Sequence, residues 1–166
     1  MTAPRDDIAA WVQEHGPQLV LFARQWVQDM ADAEDVVQEA FVSFWPRKGR
    51  AHQPIAYLYQ CVRNSAQNWA RSRQRRRKHE AQANRTPWFE SNVSQLEIRE
   101  TGELIEAVLE TLPIEQREVV VMHIWGNLTF REIAAALETP LPTAQSRYRY
   151  AMRRLRSQLE KVHNDE

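Results

Sequence analysis

The sequence predicts an all-α protein: two small helical domains joined by a flexible linker, with a helix-turn-helix in the C-terminal one. Three observations predict it. Only four of the 166 residues are glycine, too few for a fold rich in tight hairpins or phosphate-cradling loops. Apolar residues recur at steps of three and four in several blocks, the spacing of one helical face. Between the blocks lies AQANRTPWFESNVSQLE, which has a proline, small polar residues and no period, and reads as a linker. The predicted boundaries are 1–79, 80–97 and 98–166.

The first helical stretch runs through LVLFARQWV, where Leu19, Phe22, Ala23, Trp26 and Val27 make an apolar face. It stops near Asp29 to Asp32. The second begins with DAEDVVQEAFVSFW. Asp32 is the expected N-cap, and Glu34 and Asp35 sit in the first turn, where the helix dipole favours negative charge. Val36, Val37, Ala40, Phe41 and Phe44 form its buried stripe. Glu34, Asp35, Gln38 and Glu39 lie off that stripe as an acidic outer face. Pro46 and Gly49 break the chain. A third helix starts after Pro54, with Ile55, Tyr59, Val62, Ala66 and Trp69 on one side, and runs on into RSRQRRRK at Arg71 to Lys78.

After the linker, ELIEAVLETLP offers Leu104, Ile105, Val108 and Leu109 as an apolar face, and Pro113 ends it. In REVVVMHIW, Val119, Val120, His123 and Ile124 point inward, and Gly126 with Asn127 close the helix. Thr129-x-x-Glu132 is a capping box, and Phe130, Ile133 and Leu137 face inward. A turn at Thr139 to Pro142 leads to a last helix, capped by Thr143, with Ala144, Tyr148, Ala151, Leu155 and Leu159 inward. Two helices joined by a short turn, the second strongly basic, have the helix-turn-helix layout.

Charge is unevenly spread. The chain is formally neutral, with 22 basic and 22 acidic residues. Residues 1–85 hold 13 Lys and Arg against 9 Asp and Glu, residues 86–112 hold 1 against 6, and residues 113–166 hold 8 against 7. Two slightly basic blocks flank an acidic connector. Six of the eight residues in RSRQRRRK are basic, on a helix that also carries Tyr57, Tyr59 and Trp69. Arginines beside aromatics suit unstacked bases as well as phosphate. On the last helix Gln145, Arg149, Arg153 and Arg156 line a face away from the core, flanked by Ser146, Arg147, Tyr150 and Arg154, as a helix reading the major groove requires. Two basic modules on a linker suit two sites on one duplex, the second bound intramolecularly.

These blocks resemble, in order, the extracytoplasmic-function (group IV) sigma factors of bacterial RNA polymerase. DAEDVVQEAFVSFW is similar to the signature of the family's second region. PIAYLYQCVRNSAQNWARSRQRRR is similar to the helix that melts and reads the −10 element. LPIEQREVVVMHIWGNLTFREIAAALETPLPTAQSRYRYAMRRLR is similar to the fourth region, which reads the −35 element. The resemblance implies that Asp32, Glu34, Asp35, Gln38 and Glu39 bind the clamp helices of the polymerase. It implies that Asn64 to Arg73 meet the single-stranded −10 element, with Asn64 and Asn68 near a flipped base. Arg71, Arg73, Arg75, Arg76 and Arg77 would hold its phosphates. Thr143, Gln145, Ser146, Arg147 and Arg149 would enter the −35 major groove, and Arg131 would touch phosphate. An anti-sigma protein is implied as a regulator, with Trp88 and Phe89 in the linker as one place for its contact. The first and third regions of housekeeping sigma factors are not matched. The chain departs from the family at Asn68, where aspartate is usual, and at Tyr57-Leu58, where a tryptophan-leucine pair is usual. Glu138 and Pro142 replace turn glycines, and Gln145 replaces a lysine. Promoter sequence therefore does not carry over.

The rival from the residues alone is a stand-alone helix-turn-helix regulator on an operator, which leaves the acidic face of the second helix without a role. An enzyme finds no support: the histidines at 15, 52, 79, 123 and 163 have no metal-ligand spacing, and Cys61 has no evident histidine partner. No cofactor is expected. The N-terminus MTAPRDDIAAW has no secretory pattern, VVVM is too short to span a bilayer, and a single cysteine suits a reducing compartment, so the expected location is the cytoplasm.

Overall fold

The computed structural model describes residues 7–76 and 104–165, with the backbone alone at 74–76. The predicted linker with Trp88 and Phe89, Arg77, and the side chains of Arg75 and Arg76 lie outside the described residues. The chain divides into two compact units, Met1–Asn84 and Arg85–Glu166. The regular elements among the described residues are all helical.

In the first unit, α1 (Ile8–Ala23) opens on Asp7, whose carboxylate accepts from the Ala9 N–H at 2.9 Å. It ends sooner than the apolar pattern suggests. Trp26 and Val27 lie past its end, although Val27 remains fully buried beside Leu19, Phe22 and Ala23. The N-cap of α2 (Met30–Phe44) is Asp29, not Asp32: the Asp29 carboxylate accepts from the Asp32 N–H at 3.1 Å. Either aspartate satisfies the cap rule, and the earlier one adds a turn. Asp32 thereby becomes a first-turn acid. The α2 stripe buries Ala33, Val36, Val37, Ala40, Phe41 and Phe44.

A 3₁₀ turn over Trp45–Arg50 follows, with Lys48 Nζ 4.6 Å and 4.7 Å from the ring centres of Trp11 and Trp45. Then α3 (Pro54–Arg76) packs on α1 and α2. It buries Ala56, Leu58, Tyr59, Val62 and Ala66, while Ile55 and Trp69 are only half-buried. Phe22, Trp26 and Tyr59, and Phe44 with Trp11, Tyr57 and Phe41, meet at ring-centre distances of 5.1–6.4 Å. Truncating one such buried aromatic to alanine costs about 3–5 kcal/mol. Burial pushes the Tyr59 phenol far above its usual range. Burial likewise raises the Cys61 thiol, against smaller opposing effects of the Tyr57 hydroxyl and Arg47, so Cys61 packs as a small apolar group.

In the second unit the first helix among the described residues, α4, covers residues 104–110. Val108 and Leu109 are buried, whereas Leu104 and Ile105 are exposed rather than inward. Pro113 is the N-cap residue of α5 (Ile114–Ile124). There Val119 to Met122 are all buried and Ile124 is 47% exposed. The sequence points Ile124 inward, but α5 is packed from several sides and ends before Ile124 reaches cover. Asn127 supplies a left-handed residue at φ 57°, a conformation asparagine tolerates.

The predicted capping box opens α6 (Phe130–Leu137): Thr129 Oγ1 accepts from the Glu132 N–H at 3.2 Å, and Glu132 Oε1 accepts from the Thr129 N–H at 3.2 Å. Glu138 closes α6 at φ 52°, with the Glu138 N–H bonded to the Ala135 carbonyl and the Thr139 N–H to the Ala134 carbonyl. This is the Schellman pattern with glutamate in the place glycine prefers. The last helix, α7 (Leu141–Asn164), has Pro140 as N-cap residue, and Thr143 is inside it rather than capping it; the Thr143 N–H bonds to the Pro140 carbonyl. Prolines need no cap for a missing N–H and preset helical φ at the start. Ala144 and Ala151 are fully buried and Tyr148 and Leu155 partly so, but Leu159 is 48% exposed, because α7 outruns its neighbours.

Glu138→Gly is expected to stabilise α6 and α7 by about 0.5–1 kcal/mol, since an L-residue is strained in the left-handed region. Amide hydrogen exchange of those helices in the full chain checks it. A second expectation concerns pH. Burial lowers the His15 imidazole, and Glu14 at 3.8 Å offsets part of that effect. The unfolded chain therefore binds this proton more readily than the folded unit does. The His15 contribution is complete above the ordinary imidazole range and is lost as pH falls through and below that range. Urea unfolding of the first unit across that range should weaken on acidification, with a flatter dependence in His15→Gln.

Candidate nucleic-acid interfaces

Burying one stripe of a helix exposes the others, and each unit uses this differently. On α2, Glu34, Asp35, Gln38 and Glu39 are exposed. Val42, 72% exposed, continues the line Asp35, Gln38, Glu39 by one more step of three from Glu39, on one helical face. The spacing that places the acids also reaches Val42, and a lone surface valine carries no signal in the sequence by itself. No ion pair engages Glu34, Asp35 or Glu39 among the described residues.

Asp32 differs. Its Oδ2 accepts from Arg73 Nη1 at 3.0 Å, and the two side chains are 29% and 34% exposed. The Arg73 guanidinium lies 5.0 Å from the centre of the Trp69 ring, one turn back on α3. The structure thus joins a residue read with the acidic face to one read with the basic end of α3. Sequence spacing could not reveal a pair 41 residues apart. Around the pair is a groove of about 390 Å³ lined by Asp32, Glu39, Ser65, Asn68, Trp69, Ser72 and Arg73. It combines an indole, an amide, two hydroxyls, carboxylates and a guanidinium, the groups that stack on and hydrogen-bond to unstacked bases. Asn64 and Arg71 are exposed on the same helix but do not line the groove. Ser65 and Ser72 do line it, and only the packing of α3 on α2 singles them out.

In the second unit the scaffold is aromatic. The carbonyl of Leu128 accepts from His123 Nδ1 at 2.9 Å, which requires the proton on Nδ1. The ring stacks on Phe130 at 4.5 Å and meets Tyr148 edge-on at 4.8 Å. This triangle ties α5, α6 and α7 together and sets the angle at which α7 leaves the turn.

Opposite Ala144 and Ala151, α7 exposes Gln145, Arg149, Arg153 and Arg156, with Tyr150 and Arg154 also exposed. Thr143, Ser146 and Arg147 are half-buried. Arg149 makes only a long contact, 3.4 Å to Ser146 Oγ, and lies 5.8 Å from the Tyr150 ring centre. Arg147, Arg149, Arg153, Arg154 and Arg156 form no ion pair among the described residues. Arg131 is exposed in the first turn of α6, where helix N–H groups add to its attraction for phosphate. Among the described residues, no three His, Cys, Asp or Glu gather to hold a metal. No helix there is long and apolar enough to cross a membrane.

Comparison with known proteins follows the same division. Residues 11–76 match the Sigma-70 region 2 family and residues 102–155 match Sigma-70, region 4. The RNA polymerase sigma-E factor of Streptomyces avermitilis is 31% identical over 153 residues, covering 90% of this chain and 83% of that protein. The sigma-E factor of Streptomyces coelicolor is 29% identical over 152 residues, covering 90% and 84%. Among solved structures, the sigma factor RpoE in complex with the anti-sigma factor NepR from Bartonella quintana aligns with a TM-score of 0.71 at 21% identity, covering 93% of this chain and 97% of that one. CnrH in complex with the cytosolic domain of CnrY aligns at 0.64 and 23%, covering 92% and 87%. At such identities the likeness to these structures is one of fold.

The exposed faces of α7 predict separable effects on duplex DNA. Arg153→Ala and Arg156→Ala are each expected to reduce the slope of log affinity against log salt by about 0.9 per lost phosphate contact, with base preference kept. Gln145→Ala should change base preference with little effect on the slope. Selection from a randomised duplex pool at several salt concentrations distinguishes the two.

Proposed function

The chain belongs to the extracytoplasmic-function sigma factors of the sigma-70 family, and from that premise we propose how it directs promoter-specific transcription initiation. It binds bacterial core RNA polymerase through the exposed face of α2, namely Glu34, Asp35, Gln38 and Glu39, with Val42 as an apolar contact at its end. Its region 2 unit, residues 1–79, holds the single-stranded −10 element along α3, with Asn64, Asn68, Arg71 and Arg73 as contacts. Arg75, Arg76 and Arg77 follow in sequence as phosphate contacts. Residues 80–97 link this unit to region 4, residues 98–166. There the N-terminal turns of α7, with Thr143, Gln145, Ser146, Arg147 and Arg149, read the −35 duplex, and Arg131 contacts phosphate.

The observation that carries this reading is the ordered pair of family matches combined with the outward acidic face of α2. A stand-alone operator-binding protein has no use for that face beside a nucleic-acid groove. The role is that of a non-enzymatic transcription factor in the cytoplasm, where its polymerase and DNA are. An anti-sigma protein is its regulator by analogy with the RpoE–NepR complex.

Two charges of the wrong sign in the α2 face should abolish assembly. Asp35→Arg/Glu39→Arg is expected to weaken binding to purified core polymerase by roughly a hundredfold or more, since like-charge juxtaposition costs several kcal/mol. Co-elution with core polymerase and run-off transcription check it. Wild-type protein that fails to co-elute would move the operator-binding reading to first place.

A further inference from the structure

Asp32 sits among the acids of α2 in sequence but not in geometry. The Asp29 cap fixes its backbone in the first turn of α2. Its side chain crosses to α3 and ends in the 3.0 Å contact with Arg73. Glu34 and Asp35, by contrast, point to solvent. A carboxylate already committed to a guanidinium offers a basic partner much less attraction than an open one.

Arg73 is changed more. A free arginine has rotamer entropy to lose when it binds. Here it is held in advance, by Asp32 on one side and by the Trp69 ring at 5.0 Å. The guanidinium has five N–H donors, and the Asp32 contact uses Nη1. The others remain at the groove beside Asn68 and Ser72. An arginine fixed in this way has a defined donor geometry. A loose one is a mobile charge that any phosphate can attract.

We infer that Asp32 is a positioning residue for nucleic-acid recognition: by orienting Arg73 over Trp69 it makes the α3 groove selective for bases, and its negative charge suppresses indiscriminate binding to phosphate. This rests on the sigma-factor reading for the identity of the DNA, but it removes Asp32 from the polymerase-binding set. The signature is opposite in sign to that of a lost contact. Without Asp32, affinity for arbitrary DNA rises while discrimination falls.

The test uses the full chain as wild type, Asp32→Asn, Arg73→Ala and the double variant. Affinity of the free chain is measured for a random-sequence single-stranded DNA pool. Base selectivity is measured by sequencing the fraction of a partly single-stranded random pool retained by the holoenzyme. Asp32→Asn is expected to bind the random pool about threefold to tenfold more tightly, the scale of one added phosphate contact. Its selectivity should fall at the positions that Arg73→Ala flattens. In the Arg73→Ala background, Asp32→Asn should leave selectivity unchanged. Equal pool affinity for wild type and Asp32→Asn would overturn the inference, as would intact selectivity in Asp32→Asn. Loss of more than about tenfold in affinity for core polymerase, with selectivity kept, would return Asp32 to the polymerase face. If wild-type chain failed to bind core polymerase, the sigma-factor reading would fall, and the pool affinities of the free chain would still decide the role of Asp32.

Discussion

The packing of α2 on α3 is the constraint on which the rest of the first unit depends. Each helix has a single apolar stripe, so burying Val36, Ala40 and Phe44 with Leu58, Val62 and Ala66 fixes the rotation of both about their axes. Once that rotation is set, no outward side chain can choose its direction. Glu34, Asp35 and Gln38 emerge on one side, Ser65, Asn68, Trp69 and Ser72 gather on another, and Glu39 lies where the two meet, exposed and lining the groove. A protein with two macromolecular partners thus needs no special domain for either. It needs one core and the two faces left over.

The second unit solves the corresponding problem with a turn. Three residues, Glu138 to Pro140, separate α6 from α7, and the His123, Phe130 and Tyr148 rings brace the crossing. The bracing lets the turn dispense with glycine. Strain at Glu138 is local and small, while the angle it serves is held by contacts on three helices. Nearly all the burial of α7 is in its first half, and its arginines follow the uncovered side.

Much of this was legible in the sequence. The all-helical class, the α2 stripe, the capping box at Thr129 and the basic face of α7 all follow from local spacing, which a one-dimensional reading measures well. The failures share a cause. Asp29 and Asp32 are equally good caps, and so are Thr143 and a proline pair that needs no cap; only the backbone decides. Ile124 and Leu159 fit their helical periods, but period says nothing about where neighbouring helices stop, and both lie beyond cover. The Asp32–Arg73 pair joins distant segments, and spacing carries no signal for it. The candidate site residues come largely from a resemblance of ordered blocks, while the grouping of Ser65, Ser72 and Trp69 into a groove required the fold.

Trp69 has one more property. Its indole is half-buried beneath the Arg73 guanidinium at the mouth of the groove, open enough to sense water and near enough to a cation to respond to its movement. Indole emission depends on both. A nucleobase entering the groove beside it would exclude solvent and draw on the Arg73 donors while the guanidinium keeps its place, so the chain carries its own dye for occupancy of that groove.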